Sequence, residues 1–239
     1  MTIEKPTPWM EGMVPTLNNR GFMSETMERY SMAFIDYAAI CGHDVLDMGC
    51  AYGVATREVL ERGGSVTACD MEAGHVEILE REMPAELRGR LRTAVGELPD
   101  AEFPDGAFGA ILCSRVVHFL TGEQIRTSLK KMHRWLKPGG RLFVIADTPY
   151  TGFWFSTAPE YERRKAAGEE WPGYIDDVAP LLSREELPEG MFRFLNPLDP
   201  EILRRECERA AFVVEDAAFT GRAGDPDGNQ HAGVIAIRP

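Results

Sequence analysis

Short apolar runs alternate with amphipathic stretches along residues 44–147. The run DVLDMG, an apolar burst that ends at a glycine, is typical of a strand buried in a parallel sheet. Comparable runs predict strands at 65–70, 91–95, 108–114 and 141–147, and helical spacing predicts helices at 55–62, 73–82 and 122–136. Strict alternation of strand and helix with short turns predicts right-handed crossovers. We therefore expect a doubly wound α/β fold with helices on both faces of the sheet.

The segments on either side of this core follow other patterns. Helical spacing from Ser24 to Ala39 predicts a helix with Ser24 as its N-cap, and the chain returns to a helix and strands after Pro200. Between the α/β core and this last part lies a segment of about fifty residues that is rich in aromatic residues and proline. It is too long for an ordinary connection, which predicts an insertion with structure of its own. We interpret the chain as one domain (1–239), divided into an N-terminal helical cap (1–40), the α/β core (41–147), a substrate-covering insertion (148–200) and a final helix and strands (201–239).

Composition and charge narrow the classes of function. Hydrophobic residues make up 44% of the chain, enough for a packed core, and the formal charge of −12 disfavours a nucleic-acid partner, which Lys and Arg would have to neutralise. Five cysteines, an odd number without C-x-x-C spacing, indicate small buried hydrophobes in a reducing compartment. The first thirty residues lack the pattern of a signal peptide, and no apolar stretch approaches the roughly 20 residues that span a bilayer. We expect a cytoplasmic protein without a membrane partner.

A glycine-containing turn follows the first predicted core strand. In DMGCAYG, residues 47–53, a strand ends in a turn that opens into a helix, which lets backbone N–H groups approach a ligand closely. The spacing does not match the G-x-G-x-x-G of dinucleotide folds, because Gly49 and Gly53 are four residues apart. A pyrophosphate is therefore the less favoured ligand.

The turn and three later stretches resemble one known family. Asp47, Gly49 and Gly53 form the D-x-G-x-x-x-G of motif I of the class I S-adenosylmethionine-dependent methyltransferases, and Asp70 closes the next strand. GELPDAEFPDGAFGAILCS (96–114) and LKKMHRWLKPGGRLFVIAD (129–147) resemble later motifs of the same family. The resemblance covers about 44–147. Glu97 and Gly109 depart from it, because the family has aspartate at both places.

The resemblance implies a Rossmann-like sheet of seven strands, parallel with a final antiparallel strand, and S-adenosylmethionine as cofactor. It assigns the cofactor's parts as follows: Asp47, Gly49, Cys50, Ala51 and Gly53 for the amino-acid tail, Asp70 for both ribose hydroxyls, Met71, Glu97 and Leu98 for adenine, and Ser114 and Arg115 beside the methyl group. No dense cluster of His and carboxylate residues points to a metal ion.

Candidates for catalysis and for acceptor binding have alternative interpretations. His118 is the candidate general base, or it packs under the cofactor. The N-terminal segment, with Trp9, Met10, Met13 and Tyr30, either folds over the cofactor or covers the outer face of the sheet. The insertion forms an apolar or aromatic acceptor pocket or only its own core, and its aromatic residues are Tyr150, Phe153, Trp154, Phe155, Tyr161, Trp171 and Tyr174.

The leading hypothesis is an enzyme that moves a methyl group from S-adenosylmethionine to a small-molecule acceptor by in-line displacement. Such a transfer depends mainly on alignment and on exclusion of water, and it requires a base only when the acceptor holds its proton at neutral pH. An NAD- or nucleotide-binding Rossmann-type enzyme is one alternative, and a methyltransferase-like binding protein without turnover is another. The methylated atom and the oligomeric state are not predicted.

Overall fold

The predicted core strands assemble into one seven-stranded sheet. The computed structural model describes residues 3–152, 154–182, 191–221, 225 and 227–239. The sheet contains β3 (Val45–Met48), β4 (Val66–Asp70), β5 (Leu91–Val95), β6 (Phe108–Ser114), β7 (Leu136–Asp147), β8 (Val213–Thr220) and β9 (His231–Ile237). Their order is β5-β4-β3-β6-β7-β9-β8, and β9 runs antiparallel to both of its neighbours while the other pairings are parallel. The predicted doubly wound, Rossmann-like fold is confirmed.

Six α-helices of the described residues flank the sheet. They are α1 (Arg29–Ala38), α2 (Val54–Glu61), α3 (Ala73–Glu82), α4 (Gly122–Trp135), α5 (Ala158–Ala166) and α6 (Pro200–Arg209). Helices α1 to α3 bury their apolar sides in one cluster, where Phe34 meets Phe143 of β7 edge-on at 5.7 Å. Helices α4 to α6 contribute to the cluster on the opposite face, in which Trp135 is fully buried. Each face is therefore covered, as the alternating pattern predicts.

The N-terminal segment differs from its prediction. Strands β1 (Met13–Pro15) and β2 (Phe22–Ser24) pair antiparallel and form what we call the N-terminal hairpin. Helix α1 begins only at Arg29, and its N-cap is Glu28, whose Oε1 accepts from the backbone N–H of Ser31 at 2.9 Å. Ser24 as N-cap was therefore wrong, because its hydroxyl is engaged in a local turn with Thr26.

The N-terminal hairpin packs on α3 and on the turn before α2. Val14 joins Tyr52 and Ile78 in a small buried cluster, and the hydroxyl of Tyr52 donates to the carbonyl of Pro15 at 2.8 Å. These contacts place the hairpin beside the carboxyl ends of β3 and β4. In open α/β sheets, ligands bind at that edge, next to the point where the strand order reverses, here between β3 and β6.

The insertion has an apolar cluster of its own. Trp154, Val178 and Leu195 are buried together, and Ile175 forms an antiparallel bridge with Leu195. Phe153 of the predicted aromatic group lies outside the described residues. Among the residues that are described, no helix has both the length and the apolar character needed to cross a bilayer.

Gly53 generates the first prediction, because its conformation and its surroundings both exclude a side chain. Its φ is +79°, and an added Cβ would overlap Cδ1 of Leu79. We expect Gly53→Ala to lower the free energy of unfolding by about 2 kcal/mol or more, measured by urea denaturation. Gly89→Ala is the matched control, since nothing lies within 4 Å of a Cβ there. Equal stability of the two variants would contradict the packing argument.

Candidate active site

The turn between β3 and α2 is fastened to the end of β4. Gly49, Ala51 and Gly53 have φ values of +82°, +45° and +79°, so the chain reverses tightly through left-handed conformations. The N–H groups of Gly49 and Cys50 both donate to the carbonyl of Cys69, at 2.8 and 3.0 Å. A side chain at Gly49 would overlap Val116, so the glycine permits the close packing of turn and neighbouring loop.

Asp70, at the end of β4, is a buried carboxylate held by three N–H groups. Oδ2 accepts from the backbone of Ala51 at 2.8 Å, and Oδ1 accepts from the backbone of Glu72 and from Nδ1 of His75, both at 2.9 Å. A carboxylate offers about four acceptor positions, so roughly one is left for a ligand. In this conformation the count leaves room for one ribose hydroxyl, and acceptance of both by Asp70 stays a prediction.

His75 connects Asp70 to the N-terminal hairpin. The backbone N–H of Leu17 donates to Nε2 of His75 at 2.9 Å, which requires an unprotonated Nε2. Nδ1 therefore carries the proton of the neutral ring and donates it to Asp70. Both His75 and Asp70 are buried. Sequence reasoning did not single out His75, because a histidine in the first turn of a helix gives no signal of its own.

Asp47, in β3, is buried close to the turn. Its Oδ2 accepts from the hydroxyl of Thr56 at 2.7 Å. Burial raises the pKa of Asp47 to about 6, an effect that the Thr56 hydroxyl opposes and the nearby charge of Asp70 reinforces. A cationic group in contact with this carboxylate would favour its ionised form.

A cavity of about 730 Å³ opens along this edge of the sheet. It is lined by the predicted cofactor residues Asp47, Gly49, Cys50, Ala51, Asp70, Met71, Glu97, Leu98, Ser114 and Arg115, and by His118. Gly53 is not among the lining residues. It is the N-cap of α2, so its place in the motif reflects helix geometry and packing rather than a wall of the cavity.

The N-terminal segment covers this cavity. Most residues between Met10 and Glu28 line it, so this part of the segment lies over the cavity, and its contact with a cofactor stays a prediction. Tyr30 is instead buried in the core, where its hydroxyl donates to Asp216 at 2.7 Å, and Trp9 is exposed against Phe22. Seven methionines line the cavity: Met10, Met13, Met23, Met27, Met48, Met71 and Met191. Their flexible thioethers form an adaptable apolar wall.

His118 is positioned as a hydrogen-bond donor. Its Nδ1 accepts from the backbone N–H of Asp147 at 3.0 Å, so Nε2 carries the proton of the neutral ring. Burial lowers the pKa of His118, although the Asp147 carboxylate opposes this effect. A neutral ring with Nε2 already protonated cannot take a proton there. In this tautomer His118 offers the cavity a donor rather than an acceptor, and its role as general base stays a prediction.

Asp147 lies at the end of β7, next to His118 and His231, which both line the cavity. Its Oδ1 is 3.5 Å from Nε2 of His231, and its Oδ2 accepts from Nε1 of Trp154 at 3.4 Å. Burial alone would raise the pKa of Asp147, but His118, His231 and Arg115 together hold it below its ordinary value. Asp147 is therefore ionised at neutral pH.

Most of the predicted aromatic residues of the insertion that the structure describes lie away from the cavity. Of those described, Trp154 lines the cavity, whereas the buried Tyr161 donates its hydroxyl to Asp199 at 2.6 Å. Trp171 lies under the guanidinium of Arg126, at 5.3 Å from the ring centroid. The cavity's aromatic wall also includes Phe22, Phe119 and Phe192, which sequence reasoning did not identify.

Known proteins resemble this chain in sequence and in fold. Residues 45–140 match the family model of a methyltransferase domain. The chain is 33% identical over 110 residues to the cypemycin N-terminal methyltransferase of a Streptomyces species. The aligned residues cover 45% of this chain and 43% of that protein. It is 37% identical over 106 residues to the demethylmenaquinone methyltransferase of Tropheryma whipplei (strain Twist), covering 43% of this chain and 41% of that protein. The chain thus spans less than half the length of both relatives.

A solved structure shows how far the fold extends. The S-adenosylmethionine-dependent methyltransferase from Mesorhizobium loti superimposes with a TM-score of 0.60 at 15% identity, over 82% of this chain and 91% of that one. The likeness in fold thus extends well beyond the residues that the family model matches. Residues 45–140 thus match a methyltransferase domain in sequence, and the fold around them is the one found in S-adenosylmethionine-dependent methyltransferases.

The link through His75 generates the second prediction. His75→Phe keeps a ring against Tyr52, which lies 4.8 Å away, but removes the hydrogen bonds to Asp70 and Leu17. We expect the affinity for S-adenosylhomocysteine, measured by calorimetry, to fall about tenfold, and proteolysis within the N-terminal hairpin to accelerate. The exposed His43, changed to Gln, is the control. If the affinity and the rate of proteolysis were both unchanged, His75 would not connect Asp70 to the N-terminal hairpin in the way that we describe.

The buried Asp47 generates the third prediction. Its pKa is about 6 in the folded protein and near 4 in an unfolded chain, so the native state binds more protons between these values and stability falls as pH rises through them. We expect the free energy of unfolding of Asp47→Asn, measured by urea denaturation, to exceed that of the wild type by about 2 kcal/mol near pH 8. Near pH 4 we expect the two free energies to be equal. The exposed Asp100, changed to Asn, is the control. If the difference in the free energy of unfolding did not change with pH, the ionisation of Asp47 would not be its cause.

Proposed function

We propose that this protein transfers the methyl group of S-adenosylmethionine to a small-molecule acceptor. The observation that carries the proposal is one cavity that joins two different surfaces. At one end lie Asp47, Asp70 and the turn after β3. At the other lie the methionines and aromatic rings contributed by the N-terminal hairpin and the insertion. A volume of about 730 Å³ is large enough for a cofactor and an acceptor together.

The residues at the polar end fit the parts of the cofactor. Asp47 would face the ammonium of the amino-acid tail, which supplies the positive charge that its buried carboxylate lacks. Asp70 would accept one ribose hydroxyl through Oδ2, and Met71, Glu97 and Leu98 would border adenine. Ser114 follows at the end of β6, where the methyl group would lie.

The cofactor supplies a methyl group activated by its sulfonium. The chain's own contribution is alignment of the acceptor and exclusion of water, for which the N-terminal hairpin and the insertion provide the walls. His118 would hold a lone pair of the acceptor by donating from Nε2, and its fixed tautomer keeps that orientation. The ionised Asp147 would place a negative charge beside the bound acceptor.

The relatives support an acceptor smaller than a macromolecular surface. One is named for the N-terminus of cypemycin and one for demethylmenaquinone, so acceptors of different chemistry occur among similar domains. An NAD-binding enzyme is disfavoured by the missing G-x-G-x-x-G and by the family match. The cytoplasmic location and the lack of a nucleic-acid, membrane or metal partner stay predictions from the sequence.

The fourth prediction tests the function directly. We expect wild-type protein to bind S-adenosylmethionine and S-adenosylhomocysteine but not NAD, and Asp70→Asn to weaken both by about tenfold or more, because the amide cannot satisfy the three N–H donors. Calorimetry measures the affinities, and Asp100→Asn is the control.

Turnover separates an enzyme from a binding protein. Transfer of labelled methyl from the cofactor into a panel of small molecules is expected with the wild type, and with Asp70→Asn it is expected to need about tenfold more cofactor for the same rate. Cofactor binding without any transfer across a broad panel would favour the binding protein, and absence of cofactor binding would exclude both.

A further inference from the structure

Two arginines of the cavity lack a protein partner. Within the described part of the chain, every guanidinium except those of Arg20 and Arg115 donates a hydrogen bond or forms an ion pair. Both exceptions line the same cavity, and Nε of Arg115 is buried without a hydrogen-bond partner. In a chain with 38 acidic and 26 basic residues, two arginines whose guanidinium groups have neither an acidic partner nor a carbonyl acceptor are unexpected.

The backbone of Arg115 adds a second observation. Its φ is +58°, a left-handed conformation that is unfavourable for a residue with a long side chain. The conformation is held because its N–H donates to the carbonyl of Ile145 in β7 at 2.8 Å. The fold therefore maintains a strained residue whose guanidinium makes no bond to the protein, which is typical of a group that binds a ligand.

Both arginines lie near the aromatic end of the cavity. Arg20 precedes Gly21, where a Cβ would lie 4.0 Å from the ring of Phe119. The ring centroid of Phe119 is 4.8 Å from that of Phe192, which is 5.9 Å from that of Trp154. The backbone N–H of Arg115 donates to the carbonyl of Ile145, which lies two residues before Asp147. Asp147 in turn accepts a hydrogen bond from Trp154. Asp147 influences Arg115 electrostatically but forms no ion pair with it.

We propose that Arg20 and Arg115 bind an anionic group of the methyl acceptor, a carboxylate or a phosphate, while its apolar body lies against Phe119, Phe192 and Trp154. This inference rests on the proposed function. A guanidinium matches both anions through paired N–H donors, and the apolar surroundings strengthen the bond. The acceptor class is therefore an amphiphilic acid. The cofactor's own carboxylate is the competing source of negative charge, but it is a single group, and two guanidinium groups face the cavity.

The first experiment compares a charged probe with its neutral analogue. Protein saturated with S-adenosylhomocysteine is titrated with 4-phenylbutyrate and with 4-phenylbutyramide, which share an apolar body. We expect the acid to bind about tenfold more tightly than the amide, and Arg20→Gln or Arg115→Gln to remove that preference. Arg20→Lys should keep part of it, because the charge remains without the paired donors. Arg57→Gln, at an arginine that donates to the carbonyl of Glu82, is the control.

The second experiment identifies which carboxylate the arginines bind. S-adenosylhomocysteine and 5′-methylthioadenosine differ in the amino-acid tail, so a guanidinium that binds the cofactor's carboxylate affects only the former. We expect each arginine variant to change the affinities for the two nucleosides by the same factor, because neither guanidinium binds the amino-acid tail. Loss of S-adenosylhomocysteine affinity with unchanged methylthioadenosine affinity would overturn the proposal, as would an absent preference for the acid. Failure of the wild type to bind either nucleoside would instead reject the proposed function.

Discussion

The carboxylate of Asp70 is the interaction on which the shape of the cavity depends. A buried carboxylate requires hydrogen-bond donors, and Asp70 receives them from the turn after β3, from the start of α3 and from His75. Through His75 it also connects to Leu17 in the N-terminal hairpin. Three parts of the chain that are distant in sequence therefore meet at one side chain. Removing any donor would leave the carboxylate partly unsatisfied, so the turn, the helix and the hairpin hold their relative positions together.

This connection explains how a segment before the α/β core becomes part of its cavity. The N-terminal hairpin has strands of only three residues each, too short to be stable alone. It is held by a small apolar cluster around Val14, by the hydrogen bond from Tyr52 and by the bond to His75. Each contact is made to α3 or to the turn that leads into α2. The elements that shape the cofactor end of the cavity thus also position the wall of its acceptor end.

The parts that could be predicted from sequence are those with periodicity. Strands and helices of the core lie within one or two residues of their predicted bounds, apart from β7, which begins at Leu136, because burial on the sheet imposes a regular apolar pattern. The N-terminal hairpin was missed, since three residues cannot show a period. His75 was missed because its role depends on a contact with Leu17, 58 residues away. Gly53 was assigned to the cofactor because a motif records which residue is required, not whether a ligand or a neighbouring side chain such as Leu79 requires it.

The charges along the cavity indicate a site built for its ligands at some expense of stability. The raised pKa of Asp47 shows that a negative charge is unfavourable there in the protein alone, and Arg115 is held in a strained conformation without a partner. The two groups have opposite signs, yet the fold does not bring them together as an ion pair, which would satisfy both. A cofactor tail that carries an ammonium would neutralise the first, and an acid on the acceptor would neutralise the second. Keeping the two charges apart allows each to orient a different ligand, and this separation can align the two reactants for an in-line transfer.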